Sequence, residues 1–376
     1  MQFRDLKTQY QQLKQEIDIA ISKVLNEGNF ISGIQVTELE QQLAEYVGTK
    51  HCITCANGTD ALTLAFMAWD LKEGDAVFVP DFTFFASGET VVFEGATPIF
   101  VDVEEKTFNI SPNSLRDAIK RVLEEGKLKP KAIVAVDLFG LPANYDELRK
   151  IADEYELLLL EDGAQGFGGM LHGKRACSFG DISTTSFFPA KPLGCYGDGG
   201  AIFTDNDEWA DLIRSYRIHG KGNDKYDNVR IGMNSRLDTI QAAILQVKLK
   251  AFQEYELEAV NKVAEYYTKA LNEIVQVPII PEGFYSSWAQ YSILLKNKEQ
   301  RDSLQQYLKD NGIPSMIYYP KAMHEQQAFT KLDCVKGSLK TSIELCERIL
   351  SLPMHPYLCR NEQKKIIEAI KRREFR

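Results

Sequence analysis

The stretch Leu157-Leu-Leu-Leu160-Glu161-Asp162-Gly163-Ala164-Gln165 decides the fold. Four consecutive leucines leave no polar face, as expected of a strand buried on both sides at the centre of a sheet. Further short apolar runs lie on either side of it: His51–Ala56, Ala76–Pro80, Pro98–Val101, Ala132–Val136, Ser183–Phe188 and Gly200–Thr204. Between them, Ala61–Trp69, Phe85–Glu94, Ser114–Glu124 and Tyr145–Tyr155 carry apolar residues at helical intervals. This alternation predicts an α/β fold, a mostly parallel sheet covered by helices.

After residue 207 the pattern changes. A helix over Asp207–Arg217 leads into a polar, turn-rich segment, His219 to Arg230, and then a long helical run over Leu237–Leu271. Strand-like Tyr291–Leu295, helix-like Arg301–Asn311, strand-like Ser315–Tyr319 and a final helix near Asn361–Lys371 predict a smaller α+β domain. The expected division is a large domain over 1–250 and a small C-terminal domain over 251–376. The chain's 376 residues suit about two domains.

Composition narrows the function. Hydrophobic residues make up 44% and charged residues 26%, ordinary for a globular protein with a large core. A net charge of -9 argues against nucleic acid or an anionic membrane as partner, while leaving a small anionic ligand open. Met1-Gln-Phe-Arg-Asp-Leu-Lys7 contains no apolar signal core. No apolar run approaches the ~18 residues of a membrane span, so a soluble cytoplasmic protein is expected. The seven cysteines are an odd number, scattered, and the five histidines show no ligand spacing. Neither a disulfide framework nor a metal is expected, and Cys52-x-x-Cys55 reads as buried thiols in a strand.

In an open α/β sheet, ligands sit beyond the carboxyl ends of the strands. Three such ends are unusual. At Ala56-Asn-Gly58-Thr59 a strand gives way to a helix whose first N–H groups, with the Thr59 hydroxyl, form an anion cradle. Asp162 is a carboxylate delivered by a buried strand, and it needs a cationic or hydrogen-bonding partner. Lys191 stands alone between Pro189 and Pro192, before a loop holding four glycines up to Gly200. A desolvated lysine is a usable nucleophile and proton carrier. Singly, a capped helix, a distant salt bridge and a tight loop would account for them. One cofactor, pyridoxal 5′-phosphate, meets all three needs at once. The glycines match neither G-x-G-x-x-G nor the P-loop, which counts against a dinucleotide-dependent oxidoreductase.

The chain resembles the DegT/DnrJ/EryC1/StrS family of sugar aminotransferases nearly end to end. The likeness is carried by Asp5-Leu-Lys7, Gly58-Thr-Asp-Ala-Leu62, Gly74-Asp75, Phe82-Thr-Phe84 and Leu138-Phe-Gly140. It continues through Glu161-Asp162, Ala164-Gln165, Ser186-Phe187, Lys191, Gly197-Asp-Gly-Gly200 and Asn234-Ser-Arg236. The resemblance implies a fold-type-I, pyridoxal-phosphate-dependent homodimer with active sites shared across the interface. It makes Lys191 the cofactor-bonding lysine and acid–base group, Asp162 the partner of the pyridine nitrogen, and Gln165 a partner of the ring hydroxyl. Gly58, Thr59 and Ser186 would hold the phosphate, with Asn234 reaching it from the other subunit, and Phe84 would stack on the ring. For Phe84, plain core packing is the alternative.

Some relatives carry histidine in place of the lysine and act as dehydratases. Lys191 therefore implies aminotransfer, from an amino acid, expected to be glutamate, to a nucleotide-linked ketosugar. Phe187 to Gly200 and Ser351-Leu-Pro-Met-His-Pro-Tyr357 look most like the branch aminating UDP-linked 3-oxo-2-acetamido hexuronates for surface polysaccharide or O-antigen synthesis. The sugar end would involve Gly28, Phe30, Arg236 of the neighbour, Tyr318 and Tyr319. Phe30, Ala190 and Tyr318 stand where Tyr, Ser and His are expected of that branch, so a 3- or 4-keto-6-deoxy UDP- or dTDP-sugar stays open. The alternative of another class is a non-catalytic regulator that binds the cofactor or a nucleotide sugar.

Overall fold

A computed structural model describes residues 1–224 and 226–373. Two helices, α1 (Leu6–Glu27) and α2 (Ile34–Val47), precede a seven-stranded sheet. The sheet strands are β1 (His51–Cys55), β2 (Asp75–Pro80), β3 (Thr97–Val101), β4 (Lys129–Val136), β5 (Leu158–Asp162), β8 (Ile182–Ser186) and β9 (Gly200–Thr204). Between β5 and β8 lies a hairpin of two short strands, β6 (Met170–Leu171) and β7 (Lys174–Arg175). The order across the sheet is β1-β9-β8-β5-β4-β2-β3, so the leucine strand is the middle one, with Leu159 and Leu160 fully buried. The pairs from β8 to β3 are parallel, whereas β9 runs antiparallel to both β8 and β1.

Helices cover both faces: α3 (Gly58–Ala68), α4 (Ala86–Phe93), α5 (Pro112–Glu125), α6 (Tyr145–Glu154) and α7 (Asp207–Tyr216). Three of the five, α3, α6 and α7, start at asparagine caps. Asn57, Asn144 and Asn206 each accept a hydrogen bond from a first-turn N–H, satisfying donors that have no acceptor within the helix.

The helical run after 237 is two α-helices, α8 (Thr239–Ala251) and α9 (Leu257–Leu271), joined by a π-helical turn over Phe252–Glu256. Then come β10 (Phe284–Tyr285), β11 (Tyr291–Leu294), α10 (Lys298–Asp310), α11 (Lys340–Arg348), β12 (Ile349–Leu352) and α12 (Arg360–Arg372). One expectation needs correction. Ser315–Tyr319 is not a strand: only Met316 forms a bridge, to Ser351. The partner of β11 is β12, an Ile-Leu-Ser-Leu run too short to be told from a helix end by pattern. One apolar cluster runs from Leu39 and Phe203 through Tyr267 and Ile293 to Ile370, so a single core crosses residue 250.

Among the described residues no helix is long and apolar enough to cross a membrane, and no three metal-ligating side chains gather. Cys52 and Cys55 are buried free thiols in β1.

Candidate active site

The carboxyl ends of β1, β2, β4, β5 and β8 lie at one edge of the sheet, and the functional candidates follow them. At the end of β5, Asp162 is 6% exposed. Its Oδ2 accepts the Ser87 hydroxyl at 2.9 Å and its Oδ1 the Ala164 N–H at 3.2 Å. Burial pushes this carboxyl above its usual range, and the Ser87 hydrogen bond and the Lys191 charge pull it back. Lys191 is its counterpart. Burial lowers the ammonium from its ordinary value, Asp162 opposes that, and the Arg4 guanidinium adds to it. A carboxylate and a desolvated amine thus sense one another inside the fold, each shifted toward its neutral form by the lack of water.

The second strand end is the cradle. A Cβ on Gly58 would fall 2.7 Å from Ser186 Cβ, so the start of α3 lies against the end of β8 only because residue 58 has no side chain. Gly200 is held as closely, since its Cβ would meet the Asn57 carbonyl at 2.5 Å. The first N–H groups of α3, with Thr59 and Ser186, are therefore gathered at one positive helix end.

Gln165 is almost fully buried. Its Oε1 accepts the Phe139 N–H at 2.7 Å and its Nε2 donates to the Tyr319 hydroxyl at 3.0 Å, leaving a second amide N–H for a ligand. Tyr319 also packs against Phe84, ring centroids 6.3 Å apart, and Tyr318 sits 5.9 Å from Tyr319. Phe84 is 54% exposed, so core packing does not explain it. Phe82, two residues earlier, is the core residue.

Gly28, Phe30, Asn234 and Arg236 form a separate group. Asn234 and Arg236 line a cleft with Ile31, Ala56 and Gly197. Phe30 joins that segment through its carbonyl, which accepts the Thr239 N–H at 2.9 Å, and Gly28 closes α1 with positive φ. Ser235 Oγ accepts the Ala56 N–H at 3.1 Å, which seats this segment beside the Gly58 turn. Lys225, within the polar segment before it, lies outside the described residues.

Sequence reasoning missed Ser87 and Arg4. Ser87 is one polar residue in a short helix, with nothing in its spacing to mark it. Arg4, ahead of α1, donates to the Lys191 carbonyl at 2.9 Å across 187 residues of sequence.

The model of the DegT/DnrJ/EryC1/StrS aminotransferase family matches residues 11–371, and the chain belongs to that family. It is 43% identical over 371 residues to the UDP-2-acetamido-2-deoxy-3-oxo-D-glucuronate aminotransferase of Pseudomonas aeruginosa, covering 98% of this chain and 99% of that one. It is 37% identical to the UDP-N-acetyl-3-dehydro-alpha-D-glucosamine 3-aminotransferase of Acidithiobacillus ferrooxidans, covering 98% and 96%. A crystal structure of a family aminotransferase from Brucella abortus superposes with a TM-score of 0.97 at 49% identity, covering all of both chains. The fold is therefore that of the type I pyridoxal-phosphate enzymes, and the chain is an aminotransferase.

Aminotransferases of this family use pyridoxal 5′-phosphate, and the residues present fit that group. Asp162 is a buried carboxylate held by a hydroxyl and an N–H, and it would suit a protonated ring nitrogen. Gly58 and Ser186 leave a cradle that a Cβ would fill. When bound, the cofactor supplies an aldehyde for attachment to an amine and a ring that stabilises negative charge at the substrate carbon.

Proposed function

We propose that this protein transfers an amino group from L-glutamate to a UDP-linked 3-oxo-2-acetamido hexuronate, in the synthesis of a surface polysaccharide such as O-antigen. The observation that carries the aminotransfer reading is Lys191 beside Asp162 at the end of the central strand. Lys191 would hold the cofactor through its Nζ and, when that amine is free, would take the proton from the donor's amino-bearing carbon and deliver it to the cofactor carbon joined to the same nitrogen. Asp162 holds the proton on the ring nitrogen, Gln165 orients the ring hydroxyl, and Phe84 covers one ring face. Gly58, Thr59 and Ser186 hold the phosphate. Tyr318 and Tyr319 border the sugar side.

The UDP, 3-oxo and 2-acetamido features are supported by the two relatives, whose names share them. They differ at the uronate carboxylate, for which Arg236 is a bidentate partner from the neighbouring subunit. Gly28, Phe30, Asn234 and Arg236 then serve the site of a second copy in a homodimer. The exposure of Phe30, Ile31, Phe84, Phe188, Val229 and Ile231 supports such an interface. The working division is a cofactor-binding part over 1–250 and a smaller part over 251–376, meeting at the π turn. The protein acts in the cytoplasm, where nucleotide sugars are made.

The test is purified, cofactor-loaded protein given glutamate with three acceptors in parallel: the UDP-3-oxo-2-acetamido uronate, its non-carboxylated counterpart, and a dTDP-keto-6-deoxy sugar. Production of 2-oxoglutarate with the uronate first among the three is the expected result. Preference for the dTDP sugar would overturn the substrate assignment, and no turnover with any of them would favour a regulatory binder.

A further inference from the structure

Behind the Lys191 loop lies a cluster of buried charged groups that the site above does not use. Its hub is Glu256, on the π turn and 3% exposed, whose Oε1 accepts from Gln9 Nε2 at 2.7 Å and from the Tyr357 hydroxyl at 2.6 Å. A π turn inserted between α-helices recurs at functional sites, and this one brings Glu256 inward. Lys248, on α8 and 1% exposed, places its ammonium 5.0 Å from the Tyr196 ring centroid. The Tyr196 hydroxyl, Gln9 Oε1 and both ring nitrogens of His355 are buried with no hydrogen bond within normal geometry among the described residues. Arg4 connects the cluster to the lysine loop. Its guanidinium donates to the Lys191 carbonyl at 2.9 Å and to the Met354 carbonyl at 3.4 Å. Withdrawing a guanidinium from water is costly, and two backbone carbonyls repay little of that without an anion nearby. Glu256 is that anion.

We propose that Arg4 is a positioning residue for Lys191: it bridges the Lys191 and Met354 carbonyls, fixing the lysine loop against the C-terminal part of the chain, and with Glu256 it sets the charge around the amine. The proposal rests on the reading of Lys191 as the cofactor lysine. The charges facing Lys191 are Asp162 and Arg4, and those facing Arg4 are Glu256 and Lys248, with the His355 ring, neutral at pH 7, beside them. Asp5 and Glu362 act on His355 from beyond it. Arg4 disfavours the ammonium and Asp162 favours it. Removing Arg4 therefore leaves Asp162 unopposed, so Lys191 keeps its proton to higher pH. Removing the Glu256 charge leaves Arg4 uncompensated and acts in the opposite direction.

The test uses the cofactor-free protein. Reductive methylation of Lys191 is followed by mass spectrometry from neutral to alkaline pH, with exposed Lys174 as internal reference. At pH 7, Arg4→Met is expected to label Lys191 about three- to tenfold more slowly than the parent, and Glu256→Gln to label it faster. Arg4→Lys keeps the charge but loses the two-carbonyl bridge, and is expected to label Lys191 at a rate between those of the parent and Arg4→Met. A structural role alone would not give two variants of one cluster opposite signs. An unchanged profile in a cooperatively folded Arg4→Met would overturn the proposal. If Arg4→Met does not fold, an unchanged profile in Glu256→Gln overturns it instead. Protection of parental Lys191 by added pyridoxal phosphate separately tests the assignment of the lysine, so failure of that reading is distinguishable from failure of the role of Arg4.

Discussion

The Ser87 hydroxyl donates to Asp162 Oδ2 at 2.9 Å, linking helix α4 to the end of the central strand. Among the described residues it is the one side-chain hydrogen bond that tempers the desolvation of that carboxylate. A hydrogen bond to a charged group contributes about 1.5–3 kcal/mol. Ser87→Ala should therefore weaken retention of pyridoxal phosphate by roughly tenfold or more, since about 1.4 kcal/mol is a factor of ten. Titrating cofactor into the stripped protein and following its visible absorption measures this. An unaltered affinity would show that the hydroxyl is incidental.

Asp162→Asn preserves the shape and one acceptor, for the Ala164 N–H, turns its amide N–H toward the Ser87 hydroxyl, and removes the negative charge. The fold should survive, with melting little changed, while turnover drops by orders of magnitude. Parental turnover in this variant would place the ring-nitrogen partner elsewhere.

The cradle predicts a steric effect. Gly58→Ala would set a Cβ 2.7 Å from Ser186 Cβ and 3.1 Å from its Oγ, so the α3 start and β8 end must move apart. Cofactor affinity should fall, and free phosphate should protect the cofactor-free variant from thermal unfolding less than it protects the parent. Equal protection would mean that the phosphate binds away from this junction.

Two neighbouring phenylalanines should behave oppositely. Phe82 is 1% exposed and Phe84 54%. Truncating Phe82 to alanine should cost about 3–5 kcal/mol of stability. Phe84→Ala should change stability by about 0.5 kcal/mol or less, its loss appearing in cofactor affinity and rate. Urea denaturation of the cofactor-free variants separates the two cases.

His355 predicts a pH dependence. Burial and the Arg4 charge lower it from its ordinary 6.5 to about 4. The unfolded chain therefore binds a proton between those values that the folded chain refuses. The neutral ring's contribution to stability is complete above 6.5 and is lost as pH falls toward 4. His355→Phe should flatten stability against pH in that window by about one proton. The same slope in parent and variant would remove His355 as its source.

The legible and illegible parts of the molecule divide by range. The leucine run, the alternation around it and the lone Lys191 are local patterns, and they located the sheet, its centre and three of the strand ends. Phe84 was ambiguous because exposure is not written in sequence. The antiparallel course of β9 was hidden, since a buried strand looks alike in either direction. Ser315–Tyr319 has strand composition, yet of its residues only Met316 bridges to β12, and Tyr319 is turned toward Gln165. The cluster of Arg4, Glu256 and Lys248 joins residues about 250 positions apart in a chain whose helical period gave no sign of the π turn.

The most direct test of the central claim, that Lys191 and Asp162 serve amino transfer to a UDP-ketosugar, is the visible spectrum of the cofactor-loaded protein during two additions. Glutamate should bleach the absorption band, and the UDP-linked 3-oxo-2-acetamido uronate should then restore it. A protein that shows no band after pyridoxal phosphate is supplied, or a band that glutamate leaves unchanged, would contradict the claim.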